Sequence, residues 1–275
     1  MRARTQQTPK AVAALAAAAL AVAAALTAAC ASSGVNQGQF NLVSLEQEWQ
    51  LGQQLERDIA KQLRLVNDRS AVSYVNQVGK RIVSQTEMRN LPWEFHIVAD
   101  KEINAFNIPG GHVYVNTGLI NAADNVAEFT GVLAHEIAHG VSRHGTEQLT
   151  RSYGLSIVAG LVLGENPAVY QQILAQIVGT GTLAKFSRNA EREADHLGVN
   201  YMARAGYDPM GMATMFEELL QRRGSQPGAV GKFFSTHPLT EDRIRDVRAQ
   251  AAQIDRSRLA SRDSGYQNLR QRVGP

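Results

Sequence analysis

Two histidines and a glutamate form the clearest chemical pattern in this sequence. Residues 135–139 read HEIAH, so His135 and His139 are four residues apart and Glu136 lies between them. Residues four apart on an α-helix lie on the same face, and two imidazoles placed there can reach one zinc ion. Glu136 projects beside that face, where its carboxylate can take a proton from a water that the metal activates. The spacing therefore predicts a zinc hydrolase site on a helix.

A third protein ligand is expected, because a catalytic zinc ion binds three protein groups and keeps one position open. The segment EREADHLG offers Glu191 and Asp195, which are four residues apart and share a face if this segment is helical. We expect Glu191 to bind the metal. Asp195 is expected to accept a hydrogen bond from the free ring nitrogen of a ligand histidine and so to orient that ring. One zinc ion per chain is the predicted cofactor.

The elements that must position these residues are mostly helical. Apolar residues at steps of three and four predict helices over 45–66, from Ser70, and over 124–144 around the motif, with Gly145 as its end. Alternating residues predict strands at 93–98, 103–108 and 112–116, the last two joined by a glycine turn. A buried helix is predicted at 153–164, and another from Pro167 that Gly179 and Gly181 interrupt, with it or a successor running to Ala205. The last helices are predicted at 209–222 and 238–254. The pattern is that of a helix-rich α+β protein with one small sheet, in a single domain.

Several longer segments carry a resemblance to a known family. SRNAEREADHLG, ARAGYDP and STHPLTEDR follow HEIAH in that order, and INAFNIPGGHVYVNTGLI precedes it. Over roughly residues 45–250 the chain resembles the HtpX- and CAAX-prenyl-protease-like zinc metallopeptidases, of the gluzincin type. The resemblance implies a zincin-like metalloendopeptidase in which His135, His139 and Glu191 hold zinc and Glu136 is the general base.

The resemblance also places His237 at the catalytic cleft. This histidine precedes Pro238 and follows a Gly/Pro/Ser-rich segment at 224–231, which is predicted to be a loop that can act as a hinge. Three roles stay open for His237. It caps the last helix, it contacts the oxyanion, or it occupies the open metal position at rest.

Two extended segments are expected to supply the strand edge that binds a substrate. An extended peptide adds to such an edge through backbone hydrogen bonds, largely independently of its sequence. The residues assigned to this edge are Asn104, Ala105, Val113, Tyr114 and Val115. Of the other histidines, His144 is expected to have a structural role in the last turn of the motif helix. His96 and His112 are expected on the polar faces of their strands.

The first thirty residues predict export and a lipid anchor. Residues 1–29 begin with basic residues and continue in an uncharged, alanine-rich run, which is typical of a secretory signal. Residues 27–30, TAAC, resemble a bacterial lipobox, and Cys30 is the single cysteine of this sequence, so no intrachain disulfide forms within it. Acylation at Cys30 would anchor the protein to the membrane. Ala31 favours the outer membrane, with the body facing the periplasm.

Composition and charge limit the remaining possibilities. The chain has 28 basic residues, of which three lie in the leader, and the other 25 are balanced by 25 acidic residues. A body without net charge and with 6% aromatic residues does not favour a nucleic-acid-binding surface. The predicted organisation is a signal peptide at 1–29, an acylated cysteine with a flexible tether at 30–43, a peptidase domain at 44–254 and a polar, frayed tail at 255–275.

The resemblance implies a role in envelope protein quality control, so the predicted function is hydrolysis of peptide bonds in misfolded or unfolded proteins of the bacterial cell envelope. The expected partners are polypeptide substrates and, through the anchor, the membrane, whereas the oligomeric state stays open. The alternative is a non-catalytic, chaperone-like periplasmic lipoprotein that binds polypeptides in the same groove. An intact HExxH motif favours the enzyme, because a structural zinc ion needs a fourth protein ligand and no base.

Overall fold

The computed structural model describes residues 43–181 and 185–274. The predicted signal peptide, Cys30 and the tether up to residue 42 lie outside the described residues. The described residues belong to one compact unit and form a helix-rich α+β fold with a small sheet, which confirms the predicted fold class. The helices are α1 (Leu45–Ile59), α2 (Arg69–Val83), α3 (Thr117–Ala122), α4 (Val126–Val141), α5 (His144–Tyr153), α6 (Leu155–Val162), α7 (Pro167–Thr180), α8 (Arg188–Arg204), α9 (Met210–Ser225), α10 (Pro227–Thr236), α11 (Glu241–Ala252) and α12 (Ser264–Val273).

The sheet has three strands in the order β1-β3-β2. β1 (Glu94–Val98) runs parallel to β3 (His112–Asn116), and β2 (Ala105–Ile108) pairs with the other side of β3 in antiparallel fashion. A tight turn joins β2 to β3, and Gly110 and Gly111 adopt φ values of 84° and 74°, which side chains with a Cβ rarely tolerate. β3 is therefore the central strand, and β2 forms one edge.

The position of β3 corrects one prediction. Val113, Tyr114 and Val115 were expected at a substrate-binding edge, but they lie on the central strand, whose backbone pairs with a neighbour on each side. The prediction is wrong for these three residues because β1 adds in parallel to the strand side that the β2–β3 hairpin leaves open. Within the described sheet, Ala105 is the predicted residue that lies on an edge strand.

The two faces of the sheet pack against different helices, because side chains alternate along a strand. Phe95 faces α2, where Gly79 leaves room for its ring, and Asn107 faces α4. On the opposite face Phe106 and Tyr114 stack with ring centroids 4.8 Å apart. They join a core with apolar residues of α1 and α7.

The motif helix α4 runs through the centre of the molecule and crosses two other helices closely. Its buried N-terminus is capped by the Asn125 side chain, which accepts a hydrogen bond from the backbone of Glu128. At the crossing with α9, a Cβ on Gly211 would lie 2.3 Å from the carbonyl carbon of Ala127. At the crossing with α8, a Cβ on Gly198 would lie 3.3 Å from the backbone nitrogen of His135. Glycines thus let α8 and α9 approach the metal-binding segment.

The motif helix is shorter than the sequence predicts. It ends at Val141, and a second helix begins at His144 and runs through Gly145. Arg143 forms the break with a φ of 57°, in the left-handed region. Its guanidinium is held by the Glu48 carboxylate, 2.6 Å from Nε, and by the backbone oxygen of Val43. The prediction that Gly145 ends the helix is wrong because this buried anchor turns the chain two residues earlier.

Two other predicted helices are also interrupted. α1 ends at Ile59, and the chain then turns so that Leu65 forms an antiparallel bridge with Val98. The apolar segment 153–164 is broken at Gly154 and leaves Leu163 largely exposed, so it is not one buried helix. None of the helices in the described parts of the chain is long and apolar enough to cross a membrane.

The predicted loop at 224–231 is helical over most of its length. α10 begins at Pro227, which is compatible with a first helical turn because the backbone nitrogen there needs no partner. The hinge prediction is therefore wrong for this segment, and His237 follows a helix instead of a flexible loop. The Gly and Pro residues of this segment lie where α9 ends and α10 begins.

The C-terminal residues are part of the folded body. Asp263 caps α12, and the ring of Tyr266 is fully buried, with its hydroxyl donating to the backbone oxygen of Ile120 at 2.7 Å. Leu269 is buried as well, whereas the other side chains of α12 are mostly polar. The prediction of a frayed tail is wrong because two apolar anchors suffice to dock this short helix.

Candidate metal centre

Four buried side chains from separate parts of the chain meet beside α4. His135 and His139 lie on α4, Glu191 lies in the first turn of α8, and His237 follows α10. Their possible ligand atoms all lie within 4.8 Å of one another, and none of the four residues is more than 1% exposed. The structure thus brings together the three residues predicted as ligands and the histidine whose role was open.

The spacing of the first three residues suits a tetrahedral metal ion. His135 Nε2 and His139 Nε2 are 3.1 Å apart, and the Glu191 carboxylate oxygens lie 3.6 Å and 3.4 Å from these nitrogens. Ligand atoms about 2.1 Å from a tetrahedral zinc ion lie about 3.4 Å from each other. Two imidazoles and a carboxylate are also a donor set that zinc prefers. The residues present therefore fit a zinc ion.

Glu136 lies beside this cluster and is fully buried. Its Oε1 is 3.4 Å from His237 Nε2, while its Oε2 accepts a hydrogen bond from Asn107 Nδ2 at 3.2 Å. Asn107 also donates to the backbone oxygen of Glu136 at 2.9 Å. Burial raises the pKa of Glu136, and the nearby imidazoles of His237 and His135 oppose this only in part. A carboxylate with a raised pKa is a better proton acceptor near neutral pH.

Asn107 was not identified from the sequence as a site residue. It lies on the edge strand β2 and turns toward α4, at a position where most strand residues are apolar and buried. The available signal was a polar residue within the buried, alternating segment 103–108. Its contact with Glu136 shows that β2 lines the centre.

Asp195 and Arg243 position the ring of His135. Asp195 Oδ1 lies 3.0 Å from His135 Nδ1, as the spacing on α8 led us to expect. Arg243 donates to both Asp195 oxygens, at 2.7 Å and 2.8 Å, and also to Glu191 Oε2. Burial works to raise the pKa of Asp195, but the hydrogen bonds and charge of Arg243 outweigh it and hold that pKa below its usual value.

Arg243 was missed by the sequence analysis, although it lies in the STHPLTEDR segment that carries the family resemblance. It is 4% exposed, and long charged side chains are rarely so buried without charged partners. The partners lie on α8, far away along the chain, so no local pattern reveals them.

His144 and Phe186 contact the second histidine of the motif. His144 Nδ1 lies 2.8 Å from His139 Nδ1, and its Nε2 lies 3.4 Å from a carboxylate oxygen of Glu193. Phe186 stacks on the His139 ring with centroids 4.1 Å apart. His144 was expected in the last turn of the motif helix, but it is the first residue of α5. The left-handed backbone of Arg143 turns the His144 ring onto that of His139. Burial lowers the pKa of His139 well below its usual value, which favours the neutral, metal-binding form.

His237 lies inside the cluster. Its Nδ1 is 3.1 Å from Glu191 Oε1 and 3.3 Å from His135 Nε2. The helix predicted to follow His237 is α11, and its N-cap is Thr240, whose hydroxyl accepts a hydrogen bond from the backbone of Arg243. The capping role for His237 is therefore wrong. Burial works to lower the pKa of His237, but the carboxylates of Glu191 and Glu136 raise it above its usual value.

The edge of β2 is covered in this structure. Asn104 and Ala105 are at most 1% exposed, and the backbone nitrogen of Ile103 donates to the oxygen of Ala229 at the start of α10. Gly181, at the end of α7, approaches Asn104 so closely that a Cβ there would lie 2.4 Å from its side-chain nitrogen. The predicted substrate edge thus lines the centre but is closed by α10 and the end of α7.

Comparisons with known proteins agree with this geometry. Residues 70–251 match peptidase family M48. The β-barrel assembly-enhancing protease of Escherichia coli strain K12 is 33% identical over 223 residues, which cover 77% of this chain and 45% of that protein. The mitochondrial metalloendopeptidase OMA1 of Schizosaccharomyces pombe is 33% identical over 215 residues, covering 77% of this chain and 63% of that protein. The chain thus spans less than two thirds of the length of either relative.

Proposed function

Because the chain belongs to peptidase family M48, we propose that it is a zinc-dependent metalloendopeptidase. In this proposal His135, His139 and Glu191 hold the metal. The observation that carries it is the buried Glu136 carboxylate beside three ligand groups at tetrahedral spacing. A purely structural zinc site needs no such base.

The residues of the centre have separable roles in peptide hydrolysis. A zinc ion held by the three ligands supplies a Lewis acid and lowers the pKa of a water to about 7. Glu136 takes a proton from the attacking water and returns it to the leaving amine. Asn107 holds one oxygen of Glu136, so that the other faces the cluster. Asp195, itself fixed by Arg243, orients the His135 ring.

For His237 two roles remain in the proposal. Its ring nitrogens lie beside both Glu191 and Glu136, where an imidazole can occupy the fourth metal position while no substrate is bound. In the presence of a substrate the same side chain can donate a hydrogen bond to the developing oxyanion. The two roles are compatible if the side chain moves between them.

We propose unfolded or misfolded polypeptides of the cell envelope as substrates. In this proposal a substrate displaces α10 and the end of α7 from β2 and pairs with the strand backbone at Asn104 and Ala105. Such backbone recognition does not depend on a particular sequence. The signal-like leader and the lipobox at Cys30 support export and anchoring at the outer membrane, facing the periplasm. The resemblance to the HtpX- and CAAX-prenyl-protease-like group and the name of the Escherichia coli relative support a role in envelope protein quality control.

The proposal is tested with the purified full-length protein and casein as an unfolded substrate. We expect cleavage to stop on chelation and to return with zinc. Glu136→Gln should lower turnover by at least about 10²-fold, because the amide cannot accept the proton, while the zinc content stays at that of the wild type. Glu46→Gln, an exposed residue of α1, is the matched control and should cleave normally.

Two results would contradict the proposal. Turnover retained in Glu136→Gln would remove this residue as the base. Casein that is bound and kept soluble but never cleaved, with or without zinc, would favour the chaperone-like alternative.

A further inference from the structure

A second group of metal-binding side chains lies on the sheet face that points away from the metal centre. In the parallel register of β1 and β3, Glu94 pairs with His112 and His96 pairs with Tyr114, so all four side chains share one face. Ligand atoms of Glu94, His96 and His112 lie within 4.8 Å of one another. The stacked rings of His96 and His112 have centroids 5.9 Å apart.

The two histidines of this group present ring nitrogens without a partner. His112 is 6% exposed, and neither its Nδ1 nor Nε2 of His96 has a hydrogen-bond partner among the residues that the structure describes. Each of the two nitrogens lies 3.9 Å from the same Glu94 oxygen, which is too far for a hydrogen bond. Burying a polar atom without a partner is unfavourable, so two such atoms close to one carboxylate oxygen favour a bound ligand.

The electrostatics of this face favour a cation. Burial lowers the pKa of His112 to about 4 and also lowers that of His96, so both rings are neutral at physiological pH, as metal binding requires. A second carboxylate lies near, since burial and the charge of Glu94 raise the pKa of Glu56, although the nearby Arg57 opposes this shift. The pKa of Tyr114 is raised by burial and by the same two carboxylates. Negative charge therefore accumulates around neutral imidazoles.

We propose that Glu94, His96 and His112 bind a second zinc-class divalent ion that links β1 to β3. Two imidazoles and one carboxylate are ligands that zinc prefers, and the Glu94 side chain is 57% exposed, so a water can complete the coordination. The Glu94 oxygen is now 3.9 Å from each of the two ring nitrogens and needs to approach each of them to about 3.4 Å around a tetrahedral ion. Rotation of the exposed Glu94 side chain can provide this shift.

The proposed ion would act as a structural clamp. β1 is an edge strand and pairs with β3. This pairing also fixes the position of β3, whose opposite face packs toward α4. A metal bridging the two strands binds only when they are in register, so it stabilises the folded sheet. The site does not depend on the peptidase function, since its residues lie on the opposite sheet face.

The test measures the zinc content of the full-length protein. The protein is stripped with a chelator, incubated with zinc, freed of unbound metal and analysed by elemental mass spectrometry. We expect two zinc ions per wild-type chain and one in the double variant His96→Asn/His112→Asn. His139→Ala should also hold one, now at the second site. The control His196→Asn replaces an exposed histidine that bonds to Gln250 and should hold two.

A single substitution guards against misfolding of the double variant. Glu94→Gln changes an exposed side chain and should fold normally. It should bind the second zinc at least about 10-fold more weakly, because losing a ligand weakens binding at least as much as losing an outer partner of a ligand. Zinc should also raise the thermal midpoint of the His139→Ala protein but not after Glu94→Gln is added. A wild-type chain that holds one zinc, or a double variant that holds as much as the wild type, overturns the proposal. Because the readout is metal content, such a failure leaves the peptidase proposal untouched.

Discussion

Replacing Arg243 by leucine should strongly destabilise the metal-free protein. The guanidinium is 4% exposed and is the cation that contacts both Glu191 and Asp195, which are 1% and 5% exposed. Breaking a buried ion pair by removing one partner costs about 3–5 kcal/mol, because the remaining charge stays buried without compensation. We therefore expect the free energy of unfolding of the chelator-treated protein to fall by about 3–5 kcal/mol. That is a large fraction of the total stability of an ordinary domain.

Urea unfolding with a matched control measures this effect. Arg245 lies two residues further along α11, is 70% exposed and pairs with the exposed Asp242. Arg245→Leu should change the free energy of unfolding by no more than about 0.5 kcal/mol. If Arg243→Leu costs no more than Arg245→Leu, the argument that a buried cation holds α8 against α11 is refuted.

The same substitution should also weaken metal binding. Without Arg243 the carboxylate of Asp195 is free to turn away from His135, and loss of such an outer partner lowers metal affinity by about 10–100-fold. In the double variant Asp195→Asn/Arg243→Leu, the losses in the free energy of unfolding of the two single variants should not add. Their interaction energy should lie in the range of about 0.5–3 kcal/mol expected for contacting residues. Additive effects would mean that the two side chains act independently.

Further predictions concern packing and the fourth histidine of the centre. Gly211→Ala forces α9 away from the Ala127 backbone and should destabilise by about 1–3 kcal/mol in urea unfolding, whereas Gly228→Ala meets nothing within 4 Å and should not. Tyr266→Ala should cost about 3–5 kcal/mol in the same assay, and an unchanged stability would return the C-terminus to a frayed tail. His237→Ala should lower peptide turnover by about 10²–10³-fold at nearly constant KM if it donates to the oxyanion. If it only blocks the metal, cleavage and autolysis should rise instead, and no change in either would leave it without a role in turnover.

The sequence predicts well those features that depend on local spacing. The four-residue steps from His135 to His139 and from Glu191 to Asp195 place each pair on one helix face, whatever the helix packs against. The strand at 112–116 alternates in polarity and appears with the predicted bounds. Such features need no knowledge of distant residues.

The features that the sequence analysis missed depend on contacts between distant segments. Arg143 looks like an ordinary exposed residue, yet its contacts with Glu48 and Val43 end the motif helix and turn His144 onto His139. Arg243 acquires its role from carboxylates on another helix. Tertiary contacts of this kind override local propensity, and a single sequence does not reveal them.

The alternation along β3 has a consequence for changes in chain length. Val113 and Val115 point to one face of the sheet, and His112 and Tyr114 point to the other, where the unpartnered histidine nitrogens lie. A single-residue insertion or deletion in the β2–β3 turn would shift the register by one and exchange these two sets of side chains. Polar rings would then face α4, and valines would replace them on the opposite face. The packing of both sheet faces therefore constrains the length of that turn.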